Sequence, residues 1–157
     1  MPKITTFLTF NSQAEDAAKF YTAIFPNSKI VRTSYYPEGA PMPKGSVMVV
    51  DFVLDGHPFV ALNGGSHFKM SDAISLSVEC NTQQEIDKYW NALSAGGEQV
   101  ACGWLHDRFG VSWQVNPRIL SEMLSDTNAA KARSVMNAMM KMKKIVIADL
   151  EKAYAST

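Results

Sequence analysis

Apolar positions along the chain change period several times, and each change marks an element. Lys3–Phe10 (KITTFLTF) alternates apolar and polar residues with β-branched and aromatic content, which predicts a strand. Helical spacing follows to Ile24, and Pro26-Asn27-Ser28 then breaks it. Lys29–Tyr35, Ser46–Leu54 and Pro58–Leu62 predict three more strands, the last two joined by Asp55-Gly56, a common hairpin turn pair. Between 37 and 44 lies a loop with three prolines and a glycine, a candidate flexible lid.

The same order then recurs in a shorter form. Ala73–Cys80 predicts a strand and 82–94 a helix that Gly96-Gly97 stops; 98–101, 103–105 and 111–115 predict short strands. Asn11-Ser12-Gln13-Ala14-Glu15 matches Asn81-Thr82-Gln83-Gln84-Glu85, and Lys19-Phe20-Tyr21 matches Lys88-Tyr89-Trp90, so the halves are two copies of one strand–helix–three-strand unit. Each copy carries S/T-x-x-E, predicting that Ser12 and Thr82 cap their helices while the glutamate reaches back. After Pro117 the pattern becomes wholly helical, over 118–124, 129–142 and 147–155, with methionines between Met136 and Met142 on a broad apolar face. The expected organisation is a first βαβββ module at 1–66, a second at 67–117 and a helical extension at 118–157, forming one compact domain of the α+β class.

Composition narrows the function classes. With 157 residues, 46% hydrophobic and 19% charged, the chain can bury a sizeable core, and 15 basic residues against 15 acidic give no pull toward nucleic acid. No apolar run approaches a membrane span and the first residues lack a signal-peptide pattern, so a cytoplasmic protein without a membrane partner is expected. Cys80 and Cys102 are then expected as free thiols.

The densest chemistry lies at 102–117, CGWLHDRFGVSWQVNP. Cys102 and His106 do not fit a paired zinc spacing, and in an extended segment they stand about 10–14 Å apart, too far for a thiolate–imidazole pair unless the segment folds back. Asp107 and Gly110 read as the residues of a tight turn. Cys102, His106 and His67 are therefore weak catalytic candidates. Alternation puts Trp113 and Gln114 on opposite faces of the last strand. Asn63-Gly64-Gly65-Ser66 is a permissive loop without the G-x-G-x-x-G of a nucleotide site, and no parallel sheet with a glycine-rich first turn, as an S-adenosylmethionine site would need, is visible.

Tandem βαβββ modules, the second ending in D-x-F-G-x-x-W-Q, resemble the vicinal oxygen chelate superfamily (glyoxalase I, bleomycin-resistance proteins, extradiol dioxygenases). Phe20-Tyr21, Leu62-Asn63-Gly64-Gly65, His67-Phe68, Cys102-Gly103-Trp104-Leu105 and Ser112-Trp113-Gln114 carry a closer resemblance to its PhnB-like branch, whose usual label is demethylubiquinone 3-methyltransferase-like. The tail is similar to a helical extension of some relatives. The resemblance implies the glyoxalase/bleomycin resistance fold, with mostly antiparallel sheets curling into half-barrels, and a homodimer. It also implies four metal-ligand positions, which fall near Thr6, Asn63, Ala73 and Gln114, none of them His, Asp or Glu. No metal and no cofactor are therefore expected, and the function implied is binding of a small organic ligand by Thr6, Asn63, Gln114 and Trp104. An internal polar network of the same amides, and an isomerase, dioxygenase or transferase using a metal or a Cys/His pair, are the alternatives.

Overall fold

The computed structural model describes all residues from Met1 to Thr157. The elements follow the order β1 (Thr6–Phe10), α1 (Ala14–Ile24), β2 (Lys29–Tyr35), β3 (Val47–Leu54), β4 (His57–Asn63), β5 (Leu76–Cys80), α2 (Gln83–Ser94), β6 (Glu98–Gln99), β7 (Trp104–His106), β8 (Ser112–Pro117), α3 (Arg118–Leu124), α4 (Ala129–Met139) and α5 (Ile147–Ala155). The chain forms two compact units, Met1–Lys69 and Met70–Thr157, the helical extension belonging to the second.

In the first unit a four-stranded open sheet has the order β1-β4-β3-β2. β1 and β4 run parallel, and the other two pairings are antiparallel. One face is covered by α1, whose Ala14, Ala17 and Ala18 are small enough to bring the helix close and whose Tyr21 stacks on Phe52. Phe52 stacks in turn on Phe59, its partner across the β3–β4 ladder. Asp55 and Gly56 both have positive φ, 48° and 77°, as the predicted hairpin turn requires.

The two helix starts differ, although the sequence repeats. Thr82 caps α2, accepting from the Glu85 amide at 3.2 Å, while the Glu85 carboxylate reaches back to the Asn81 amide at 2.6 Å. At α1 Ser12 does not cap; the Ala14 amide donates to Asn63 Oδ1 at 2.9 Å. A side chain from the end of β4 thus does in the first unit what the local box does in the second. It can because the parallel β1–β4 pairing sets Asn63 beside Phe10, just before the helix.

The second unit repeats the sheet as β5-β8-β7-β6, with β5 and β8 parallel. Ile86, Trp90 and Leu93 of α2 are buried beside the rows Leu76–Trp113–Leu105 and Val78–Val115. Extension helices α3, α4 and α5 close around their own core of Leu120, Met123, Val135, Ile145 and Leu150. α4 ends at Met139, short of the expected 142, and the following segment turns back to bond the rest of the unit. Met142 and Lys143 carbonyls accept from the Cys102 and Gly103 amides, both at 2.8 Å. The Gln83 amide grips Ile145 O at 3.0 Å and Ile147 N at 2.8 Å, and Lys144 pairs with Asp87 at 2.8 Å. No helix is long and apolar enough to cross a membrane.

Candidate functional site

The open face of the second unit's sheet, opposite α2, gathers the polar residues. Register aligns Ser77 of β5, Gln114 of β8 and Trp104 of β7 in one row, with Glu79 and Asn116 forming the next. Past the end of β8, Leu120, Ser121 and Leu124 of α3, with Met139 of α4, complete a depression of about 370 Å³ that Cys102 also lines. Trp113 lies on the opposite face, so the predicted division between Trp113 and Gln114 holds.

Each polar group here has a geometric cause. Gln114 Nε2 donates to Ser75 Oγ at 2.9 Å, which leaves its carbonyl to accept from Asn116 Nδ2 at 3.3 Å. Asn116 Oδ1 is buried without a hydrogen-bond partner. It stands 2.4 Å from where a side chain on Gly103 would begin, so only glycine fits beneath it. Cys102 and Gly103 have φ of 59° and 82°, and the Trp104 amide bonds Ala101 O at 3.0 Å. They are the two central residues of a turn with positive φ at both positions, in which a cysteine is strained and is held by the Met142 carbonyl. Glu79 is the only charged side chain lining the depression.

The remaining candidates lie elsewhere. Asn63 is buried in the first unit and both ends of its amide are engaged, Oδ1 by Ala14 and Nδ2 by Val47 O at 3.0 Å, while its backbone carbonyl accepts from the Tyr36 hydroxyl. Thr6 is exposed on β1, in register with Phe59, on the same side of the strand as Leu8 and Phe10; Phe7 and Thr9 point to the open face. Ala73 precedes β5 in a loop, and His67 is exposed beside Phe68.

His106 is held between two carboxylates, Nε2 to Asp72 Oδ1 at 2.6 Å and Nδ1 to Glu98 Oε2 at 3.2 Å. These bonds, led by that to Asp72, raise its pKa, and the Ser112 hydroxyl and His106 together lower that of Asp72. With both ring nitrogens occupied, His106 makes no bond to Cys102. Ser112 also donates to Asp72, so the imidazole and the hydroxyl meet on one carboxylate rather than on each other, which is not the arrangement that activates a nucleophile. Asp107 is buried; its Oδ1 accepts from the Phe109 and Val111 amides and its Oδ2 from Trp113 Nε1 at 2.9 Å, which is turn and packing chemistry. Both cysteines are free, and burial, followed by the charges of Glu85 and Glu79, pushes the Cys80 thiol up to about 11.

Sequence reasoning missed Glu79, Ser77 and Asn116. Their signal was available: alternation through SVEC and SWQVN puts Ser77, Glu79, Gln114 and Asn116 on one side of two strands, once the strands are known to pair.

Residues 2–116 match the family described as 3-demethylubiquinone-9 3-methyltransferase. Among solved structures, a Bacillus cereus PhnB protein described as a 3-demethylubiquinone-9 3-methyltransferase is 38% identical, with a TM-score of 0.67 over 74% of this chain and 99% of that one. Protein PA1353 of Pseudomonas aeruginosa shares the fold at 22% identity, with a TM-score of 0.62 over 74% of this chain and 98% of its own. The fosfomycin resistance protein FosX of Listeria monocytogenes, complexed with Mn(II) and sulfate, shares it at 17% identity and a TM-score of 0.56 over 79% of this chain and 98% of its own. No curated protein matches the chain.

Neither group that these likenesses bring to mind suits the residues present. One carboxylate, one hydroxyl and two amides line the sheet face, and no three His, Cys, Asp or Glu side chains are grouped so as to hold an ion, whereas a divalent ion of this kind is bound through several anionic or imidazole donors. S-adenosylmethionine would call for a glycine-rich turn between a strand and a helix in a parallel sheet, but Gly64-Gly65 follow β4 without leading into a helix and each sheet holds a single parallel pair. On the match over residues 2–116 and the 38% identity with the Bacillus cereus protein, the chain belongs to the PhnB-like, 3-demethylubiquinone-9 3-methyltransferase family of the vicinal oxygen chelate superfamily.

Proposed function

We propose that the protein binds a small organic molecule, without a metal ion, on the open face of its second sheet. The observation that carries this is the single depression in which Trp104 and Gln114 meet Cys102, Glu79 and the extension helices, an apolar wall with a few convergent polar groups. Trp104 offers a partly exposed aromatic surface, and Gln114 is held in one orientation by Ser75 and Asn116. Thr6 and Asn63 stand outside the proposal: Thr6 does not share a strand face with the open side, and Asn63 is consumed by the start of α1.

The test is a thermal-shift screen of a metabolite panel against protein purified in chelator, with elemental analysis of the same sample. Ligands that raise Tm in chelator and lose their effect in Trp104→Ala support the proposal. Shifts that require an added divalent ion, or that persist unchanged in Trp104→Ala, refute it.

A homodimer is part of the same proposal. Phe7 and Val31 are 57% and 60% exposed at the apolar open side of the first unit, where Val60, in register with Phe7, also lies, more apolar surface than water favours. Light scattering that gives a monomer at tens of micromolar protein would refute it.

A further inference from the structure

The charge and the walls of the second-unit depression define a class of ligand. We propose that the pocket selects small amphipathic organic cations, with the C-terminal extension supplying the wall for their apolar part; this rests on the assignment of that pocket as the ligand site. Residues 117–157 lie beyond the family match, yet Leu120 and Leu124 of α3 and Met139 of α4 line the pocket. That wall is fixed in place: the extension has its own core, and its 142–147 segment is bonded to the Cys102-Gly103 turn and to both ends of the Gln83 amide. A ligand's hydrocarbon part therefore meets a preformed apolar surface that the matched family region does not itself contain.

The sheet side sets the sign of the head group. Glu79 is exposed, takes part in no ion pair of the chain, and is the only charged residue among those lining the pocket. No lysine or arginine lines the pocket to oppose it, and of the extension's lysines Lys144 is paired with Asp87 and Lys131 sits over the Tyr154 ring. Trp104 adds an aromatic face, which attracts a cation through its ring and gives an anion nothing. An anionic head would meet an unneutralised carboxylate and no cation to balance it.

The experiment titrates the full-length ¹⁵N-labelled chain at low salt with n-hexylammonium chloride, n-hexanol and sodium hexanoate, following the indole N–H of Trp104 assigned by Trp104→Phe. Hexylammonium is expected to bind on the order of tenfold more tightly than hexanoate, with high salt eroding the difference. Glu79→Gln should bring the two within about two- to threefold, the preference that an exposed ring–cation contact at Trp104 leaves. Met139→Ala should weaken all three probes alike. Equal binding of the three probes with a Trp104 response would overturn the cation preference and leave the pocket standing. A roughly tenfold preference that survives Glu79→Gln would likewise overturn this account of it. No Trp104 response to any of them would remove the pocket as the ligand site and the preference with it.

Discussion

Replacing Asn63 with alanine tests whether this side chain belongs to the fold of the first unit. The substitution removes the acceptor for the first free amide of α1, Ala14 N–H at 2.9 Å, and the donor to Val47 O at 3.0 Å. Loss of a helix-capping acceptor costs about 1 kcal/mol, and leaving a buried partner unsatisfied adds about 1–3 kcal/mol. Ala14 is fully buried, so water does not readily replace the lost bond, and the expected loss is about 2–4 kcal/mol. For a chain of this size that is roughly 5–12 °C in Tm. Urea denaturation supplies the free energy, and amide exchange at Ala14 localises it, since its protection should fall in the variant while that of the α2 start does not. Thr6→Ala, at an exposed position, is the control and should stay within about 0.5 kcal/mol. If Asn63→Ala unfolds within about 0.5 kcal/mol of the parent but loses ligand binding, the assignment of Asn63 to the fold is wrong.

Further expectations concern the second unit. His106 donates to Asp72 and Glu98 together only when both ring nitrogens carry protons, and its pKa is raised above the ordinary 6.5. Its contribution to stability is therefore complete below pH 6.5 and lost as pH rises through the raised folded value, whereas that of Asp72, lowered from 3.8, is present above 3.8 and lost as pH falls through the lower folded value. Chemical denaturation across pH 4–8 should show a loss on the alkaline side that His106→Gln flattens; an unchanged profile would contradict the clasp. Gly103→Ala forces a Cβ to within 2.4 Å of Asn116 Oδ1 at a φ of 82° and should cost about 1–3 kcal/mol by thermal unfolding, a neutral result arguing against the turn geometry. Cys80, buried and pushed up to about 11, should react with a thiol reagent at neutral pH only after unfolding, so native protein should titrate at most the Cys102 thiol. Gln83→Ala should speed amide exchange at Ile147 by breaking the grip on the extension, and unchanged protection there would refute it.

Sequence by itself determined what depends on neighbours along the chain. Period-2 and helical spacing fixed the kind and order of the elements. Thr82-x-x-Glu85 fixed its helix start, Asp55-Gly56 its turn, and the repeat the doubling of the unit, because each reflects bonding within a few residues. Only the tertiary structure decided the rest, since strand register is chosen by packing and a one-residue change exchanges the faces. Register put Asn63 beside Phe10 and made it the cap of a distant helix, so the matching S-x-x-E box at Ser12 went unused. It set Glu79 beside Asn116 and Gln114 and put Thr6 on the α1 side of its sheet, since alternation sorts residues within a strand but does not say which strands pair or which face a helix covers. Gly97 appears in the sequence as a helix stop, but a Cβ there would lie 2.1 Å from His106 O, a crowding that exists only once β6 lies against β7. Nor could the sequence show that Met142 and Lys143 would brace the turn carrying Cys102, because that contact joins segments brought together by the core of the extension.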